Sequence, residues 1–149
     1  FQHILYVSSL IIAAFLLHHM NDLLGLTPYV ISKIMPLISP ALLPAITFVV
    51  VALLCFGSGS FWGIAMISFP VIMPLAIAMN VNPYLTIASI ATATAFGSQA
   101  CFYSDSVTVV SAATGIKNMD YAKNVLPLLI IPVIIAILGN LIFGFLLLP

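Results

Sequence analysis

The sequence has very little charge. It contains no Glu and no Arg, and its formal charges are three Lys and three Asp among 149 residues. Charged residues make up 4% of the chain, where a soluble domain has about a quarter, and the mean hydropathy is +1.33. Such a chain cannot cover a water-exposed surface, so we expect an integral membrane protein in contact with the lipid bilayer. The lack of a basic surface argues against nucleic acid as a partner.

Residues typical of catalytic and metal sites are also scarce. The two cysteines, Cys55 and Cys101, lie in apolar runs rather than in a paired framework, which is typical of small buried side chains. Because the chain has no Glu, it lacks the metalloprotease motif His-Glu-x-x-His. A Ser/His site would require a histidine from residues 3–19 to reach a distant serine. We therefore expect no enzyme.

Long apolar runs are what the chain does contain, and a helix that spans a bilayer needs about 20 such residues. We therefore expect an all-α, polytopic bundle of transmembrane helices. The chain begins with Phe1 rather than Met, so we also expect it to be a piece of a longer polypeptide or a processed one. The apolar segments are 3–20, a short interfacial segment 29–38, 41–56, 64–79, 84–96 with a continuation to 114, and 121–148.

Two stretches rich in Gly and Ser interrupt these runs. They are residues 57–63, GSGSFWG, and residues 97–104, GSQACFYS. Irregular backbone is not tolerated against lipid, so both stretches must be buried in protein or line a wet cavity. We therefore expect broken or re-entrant helices. Residues 57–63 would be either a re-entrant tip or the far end of a full span, and residues 97–104 an unwound joint between two half-helices.

Asp105 directly follows the second stretch. It comes after 71 residues without a formal charge, and 11 residues separate it from Lys117. Counting back from Gly115 at about 1.5 Å per residue places Asp105 roughly 15 Å deep, near the midplane of a hydrocarbon core about 30 Å thick. A carboxylate at that depth is costly and usually marks an ion or proton pathway. The structural alternative is an aspartate that caps its own half-helix.

The groups near the two stretches suit a small hard cation. Sodium takes about five or six oxygen ligands, which a carboxylate, hydroxyl groups and unwound carbonyl groups supply if the two stretches meet. Burial favours the protonated carboxyl group and a bound cation favours the carboxylate, so one site can hold either ion. The candidate ion ligands are Asp105 (the Na+ ligand), Ser104, Ser106, Thr108, Ser58, Gly59 and Ser60. The candidate cavity-lining residues are Ser98, Gln99, Tyr103 and Trp62.

The same two stretches resemble the NhaC-type Na+/H+ antiporters of the ion-transporter superfamily. Residues 57–76, GSGSFWGIAMISFPVIMPLA, are similar to that family's Gly-Thr-Ser-Trp-Gly loop and the proline-bearing helix that follows it. Residues 97–127 resemble its Gly-Asp-His-Cys-Ser-Pro-Ile-Ser-Asp stretch, whose Ser-Asp pair corresponds to Ser104-Asp105. The resemblance covers what would be the carboxyl-terminal half of such a transporter.

The resemblance implies a fold and a function. The fold would be one half of an inverted-repeat transporter, with residues 1–149 as a single transmembrane half-domain of a longer chain or a half-sized subunit. The function would be Na+/H+ antiport, with ion ligands from Ser104-Asp105 and from the loop 58–63 and with no cofactor. A second transporter half or an identical subunit would complete the cavity, and we expect a homo-oligomer.

The sequence departs from the family pattern at Ser98-Gln99, where the family has an Asp-His pair. One titratable pair is therefore missing from the implied site. This leaves open a sodium-coupled carrier for an organic acid or amino acid on the same scaffold. A second alternative, from another class, is a non-transporting membrane subunit in which Asp105 holds an assembly interface.

Counting the spans gives an orientation. Residue 79 should return to the side where residue 41 begins, so Asp22 and Lys33 share one face while Lys117 and Lys123 share the other. The positive-inside rule then places the loop of Lys117 and Lys123 in the cytoplasm. The expected location is a bacterial or archaeal plasma membrane, crossed several times.

Overall fold

The structure, a computed structural model, describes residues 38–147 continuously and, before them, residues 12, 16, 19, 20, 23–25, 29 and 32. The expected first span 3–20 and the interfacial segment 29–38 lie almost entirely outside the described residues. Asp22 and Lys33 also lie outside them.

Helices make up nearly all of the continuous part. A 3-10 turn at Pro40–Leu42 leads into five helices, which are α1 Leu43–Ser58, α2 Phe61–Ala78, α3 Pro83–Ala100, α4 Asp105–Thr114 and α5 Asn118–Leu146. The segment Pro40–Ser58, α2 and α5 are each long and apolar enough to cross a membrane, and α3 with α4 qualifies as one pair bent by 48°. The expected all-α polytopic bundle with a broken helix is confirmed.

Local sequence signals explain where these helices begin and end. The Asn82 side chain accepts a hydrogen bond from the Tyr84 N–H at 3.0 Å, and Pro83 occupies the first position of α3. Gly59 and Gly115 end α1 and α4 in the left-handed conformation, with φ of +68° and +74°. That conformation is open to glycine and strained for other residues.

Helices α1 and α3 run in the same direction and pack closely. Phe48, early in α1, packs against Ile90 in the middle of α3, and nearer their ends Gly97 lies against Ala52 and Cys55. A Cβ atom at Gly97 would lie 2.6 Å from the Cβ of Cys55 and 2.7 Å from the carbonyl oxygen of Ala52. Glycine at position 97 therefore permits an approach between these helices that a side chain would prevent.

The other two long helices run in the opposite direction. The end of α2 packs on the start of α1, because Ala76 and Met79 share an apolar cluster with Leu43. This contact confirms that residue 79 returns to the side where residue 41 begins. Helix α5 also ends at that side, with Gly144 against the carbonyl group of Ala41. At about 1.5 Å per residue, its 29 residues extend over roughly 44 Å.

Both interruptions are shorter than the sequence predicts. Helices α1 and α2 take up most of residues 57–63 and leave only Gly59 and Ser60 between them. The expectation that α3 unwinds at Gly97 was wrong, because this glycine is a packing contact within the helix and only residues 101–104 separate α3 from α4. Likewise, α5 begins at Asn118 rather than at residue 121.

Candidate functional site

The two breaks lie in direct contact with each other. The backbone N–H of Asp105, at the start of α4, donates to the carbonyl oxygen of Gly59 over 3.4 Å. The hydroxyl group of Tyr103 donates to the carbonyl oxygen of Gly57 over 2.6 Å. A Cβ atom at Gly59 would lie 3.5 Å from the sulfur of Cys101. The end of α1 and the start of α4 thus form one junction, so groups from both breaks can contribute to the same site.

The junction lies well short of the far end of α4. Helix α4 has ten residues, so it extends about 10–15 Å beyond the break, depending on its tilt. The hairpin of α1 and α2 turns back at the level of the junction. The turn between α1 and α2 therefore meets the break between α3 and α4.

A serine begins the helix that follows each break. The hydroxyl oxygen of Ser60 accepts the Gly63 N–H at 3.2 Å, and that of Ser104 accepts the Val107 N–H at 3.2 Å. Ser104 is fully buried, and its hydroxyl group also donates to the carbonyl oxygen of Ser98. Ser104 therefore caps α4 and ties it to the end of α3. The alternative in which Asp105 caps the half-helix through its own side chain does not apply.

The carboxylate of Asp105 lies on the exposed surface of this chain. Its position in the first turn of α4 suits a negative charge, because the free N–H groups there carry partial positive charge. Ser106 beside it is half-buried, and the hydroxyl oxygen of Thr108 accepts a hydrogen bond from the Asn118 amide at 3.4 Å. Within the described part of the chain, no group of three or more His, Cys, Asp or Glu side chains comes together to hold a metal ion.

The candidate cavity-lining residues have different surroundings. Ser98 is 2% exposed, and its hydroxyl group donates to the carbonyl oxygen of Ala95 at 3.0 Å. Gln99 accepts a hydrogen bond from the Tyr121 hydroxyl group at 3.0 Å and lines a cleft of about 310 Å3 between α1, α3 and α5. Trp62 is exposed at the start of α2. Tyr103 is the member of this set that bridges the two breaks.

Two buried contacts were not anticipated. Ser89 in α3 hydrogen-bonds the side-chain oxygen of Asn140 in α5, and both residues are buried. The thiol group of Cys55 donates to the carbonyl oxygen of Thr94 at 3.2 Å, next to the junction. The first contact had a sequence signal, since Asn140 is the only amide side chain in the apolar residues 125–147. Such polar pairs join neighbouring helices within a membrane.

Comparison with known proteins identifies the family. The model of the Na+/H+ antiporter family matches residues 1–145. The chain belongs to this family. Searches of curated proteins and of solved structures found no match. The resemblance found in the two Gly- and Ser-rich stretches is thereby confirmed at the level of Na+/H+ antiporters, which are integral membrane transporters.

Family membership also gives the junction a context. Antiporters are transporters rather than an enzyme class, and the helices of this chain have the length and apolar character to cross a membrane. Discontinuous transmembrane helices commonly place their half-helix ends at the ion site of secondary transporters. The contact between Gly59 and Asp105 brings two such ends together.

Proposed function

We propose that the junction of the two breaks is the ion site of a Na+/H+ antiporter, with Asp105 as the group that holds either ion. The contact between the breaks carries this proposal: the Asp105 N–H lies 3.4 Å from the Gly59 carbonyl oxygen. Without that contact, the carboxylate of α4 and the oxygen atoms at the end of α1 would belong to separate regions.

The electrostatics of the junction suit a cation that exchanges with a proton. The last carbonyl groups of α1 lack helical partners and carry partial negative charge. Asp105 adds a full negative charge when ionised. Hydroxyl groups of Ser58, Ser106 and Thr108 are the nearby candidates for further ligands, whereas Ser104 has a structural role as the cap of α4.

Exchange then follows from competition at one carboxylate. Sodium binding requires the ionised form of Asp105, and proton binding displaces the cation. The ten residues of α4 extend about 15 Å from Asp105 toward Lys117, which supports a location of Asp105 within the hydrocarbon core rather than at this interface. Opening the junction alternately to the two sides would move Na+ and H+ in opposite directions.

The exposed carboxylate supports a second element that completes the site. Asp105 lies on the surface of this chain, and a bare carboxylate against lipid would be costly. We therefore infer that this chain is the carboxyl-terminal half of an NhaC-like inverted-repeat transporter. A second half or an identical subunit would cover Asp105. In a bacterial or archaeal plasma membrane, Lys117 and the first turns of α5 with Lys123 would face the cytoplasm.

Replacement of Asp105 by Asn tests the proposal. The full-length protein and the Asp105→Asn variant are reconstituted in proteoliposomes, and proton movement driven by a sodium gradient is recorded. We expect proton movement in the variant to fall to the level of protein-free liposomes, because an amide neither releases a proton nor balances the charge of a cation. Asp120→Asn is the matched control, since Asp120 is exposed in the first turn of α5 and should be dispensable.

The other outcomes separate the alternatives. Exchange at the parent rate in Asp105→Asn would remove this residue from the mechanism. Loss of assembly in the variant, with no transport by the parent, would favour a non-transporting subunit. A labelled organic acid or amino acid that accumulates only with sodium would favour the carrier. The cleft beside Gln99, about 310 Å3 in volume, is at the small end of the range for ligand pockets.

A further inference from the structure

The side chain of Tyr103 contacts the last turn of α1. Its hydroxyl group lies 2.6 Å from the carbonyl oxygen of Gly57 and 3.3 Å from that of Phe56. Residue 103 belongs to the break between α3 and α4, so this side chain reaches from one break to the other. It is the side-chain counterpart of the backbone contact between Asp105 and Gly59.

The carbonyl groups at the end of α1 explain why this contact matters. The last four carbonyl groups of a helix have no partner within it, and in a membrane each needs another donor or a cation. The oxygen of Cys55 accepts the Gly59 N–H at 2.8 Å and the Ser58 hydroxyl group at 3.3 Å. The oxygen atoms of Phe56 and Gly57 accept from Tyr103. Tyr103 thus donates hydrogen bonds to oxygen atoms that would otherwise be free to bind a cation.

The ring of Tyr103 is held on one side and open on the other. It lies over Gly59, where a Cβ atom would be 2.8 Å from two ring carbon atoms. It also packs edge-on against the ring of Phe102, with 4.9 Å between the two ring centroids. The Tyr103 side chain is nevertheless 49% exposed. The hydroxyl group can therefore move away from α1 without disturbing the buried cap at Ser104.

We propose that Tyr103 is a gating residue of the ion site: its hydroxyl group and Na+ compete for the Gly57 carbonyl oxygen, so that Na+ binding releases the hydroxyl group from it. This inference rests on the proposed function, because it takes the junction as the cation site. Gly57 lies two residues before Gly59, whose carbonyl oxygen accepts the Asp105 N–H. Cation binding would then loosen one link between the breaks while the backbone link remains.

The Tyr103→Phe variant of the full-length protein tests the gate, since it keeps the ring and removes only the donor. Sodium no longer competes with a hydroxyl group, so we expect the KM for Na+ to fall about three- to tenfold, the equivalent of one neutral hydrogen bond, without a rise in kcat. Sodium binding to the purified protein, measured by calorimetry, should tighten by the same factor. Tyr84→Phe is the control, because Tyr84 is 81% exposed at the opposite end of α3.

A second substitution keeps the test independent of folding in the first. Replacement of Tyr103 by 3-fluorotyrosine preserves the side chain and makes its hydroxyl group a stronger donor. The KM for Na+ should then rise rather than fall. Thermal unfolding of both variants shows whether each is folded.

The possible results are distinct. An unchanged KM in Tyr103→Phe would overturn the gate. A higher KM would overturn it as well, since it would show that the hydroxyl oxygen itself binds the cation. Asp105→Asn is measured in parallel: parent-like exchange in that variant rejects the proposed site, whereas lost exchange there with an unchanged KM in Tyr103→Phe rejects the gate alone.

Discussion

The break between α1 and α2 reverses the chain, whereas the break between α3 and α4 bends it by 48° and lets it continue. Both breaks use the same capping device, a serine hydroxyl oxygen that accepts an N–H three residues later at 3.2 Å. They differ in length, with two residues in the first and four in the second. Only the second is followed by a carboxylate.

This difference assigns separate chemistry to the two breaks. A reversal after a left-handed Gly59 leaves the last carbonyl groups of α1 at the junction, so the first break supplies backbone oxygen atoms. A bend allows α4 to continue from its first turn, so the second break supplies the charged side chain of Asp105. A cation site needs both kinds of ligand, and the contact between the breaks joins them.

The largest effect on this arrangement is expected from Gly97→Ala. Gly97 holds α3 against α1 just below both breaks, and a Cβ atom there would lie 2.7 Å from the Ala52 oxygen and 2.9 Å from the Phe56 nitrogen. Because backbone atoms cannot move aside as a side chain can, we expect a loss of about 3 kcal/mol or more in the free energy of unfolding. Denaturation in detergent or bicelles measures it.

Gly139→Ala is the matched control for Gly97→Ala. Gly139 lies in α5 with nothing within 4 Å of an added Cβ atom, so alanine should leave stability unchanged or raise it by up to about 1 kcal/mol. Equal stability of the two variants would contradict the close approach of α1 and α3. The junction between the breaks would then lose its support.

A smaller effect should distinguish the two caps. Ser104→Ala removes a fully buried hydroxyl group and leaves the Val107 N–H and the Ser98 carbonyl group without this partner, so we expect a loss of about 2–3 kcal/mol. Ser60→Ala removes a cap that is only half-buried and should cost about 1 kcal/mol. Both are read from unfolding midpoints. Equal losses would show that the two caps are equally shielded, contrary to their burial.

Much of the second break was predictable because its signals are local. The end of α4 before Gly115 and the length of this helix could be counted from the sequence, and both are confirmed. The position of Asp105 at the start of α4 followed from that count. The return of residue 79 to the side of residue 41 followed from the lengths of the two apolar runs.

Contacts between distant residues explain what the sequence did not reveal. Gly97 was expected to end α3, as an isolated glycine often does, but its contact with α1 keeps it inside the helix. Gln99 was a candidate cavity-lining residue, and its hydrogen bond with Tyr121 in α5 joins residues 22 apart. The bridge from Tyr103 to Gly57 joins residues 46 apart, and no local pattern predicts such a contact.

The smallest predicted effect compares two neighbouring glycines at the end of α1. Gly59→Ala should lower the free energy of unfolding by about 1–2 kcal/mol, because its φ of +68° is strained for any side chain and its Cβ atom would press on the Tyr103 ring. Gly57→Ala should instead be neutral or stabilising by up to about 1 kcal/mol, since it lies within the helix with nothing within 4 Å. If both variants were destabilised alike, the reversal at Gly59 would not depend on a left-handed residue. If instead Gly59→Ala alone is destabilised and also alters the KM for Na+, the ring of Tyr103 links the shape of the first break to the ion site at the second.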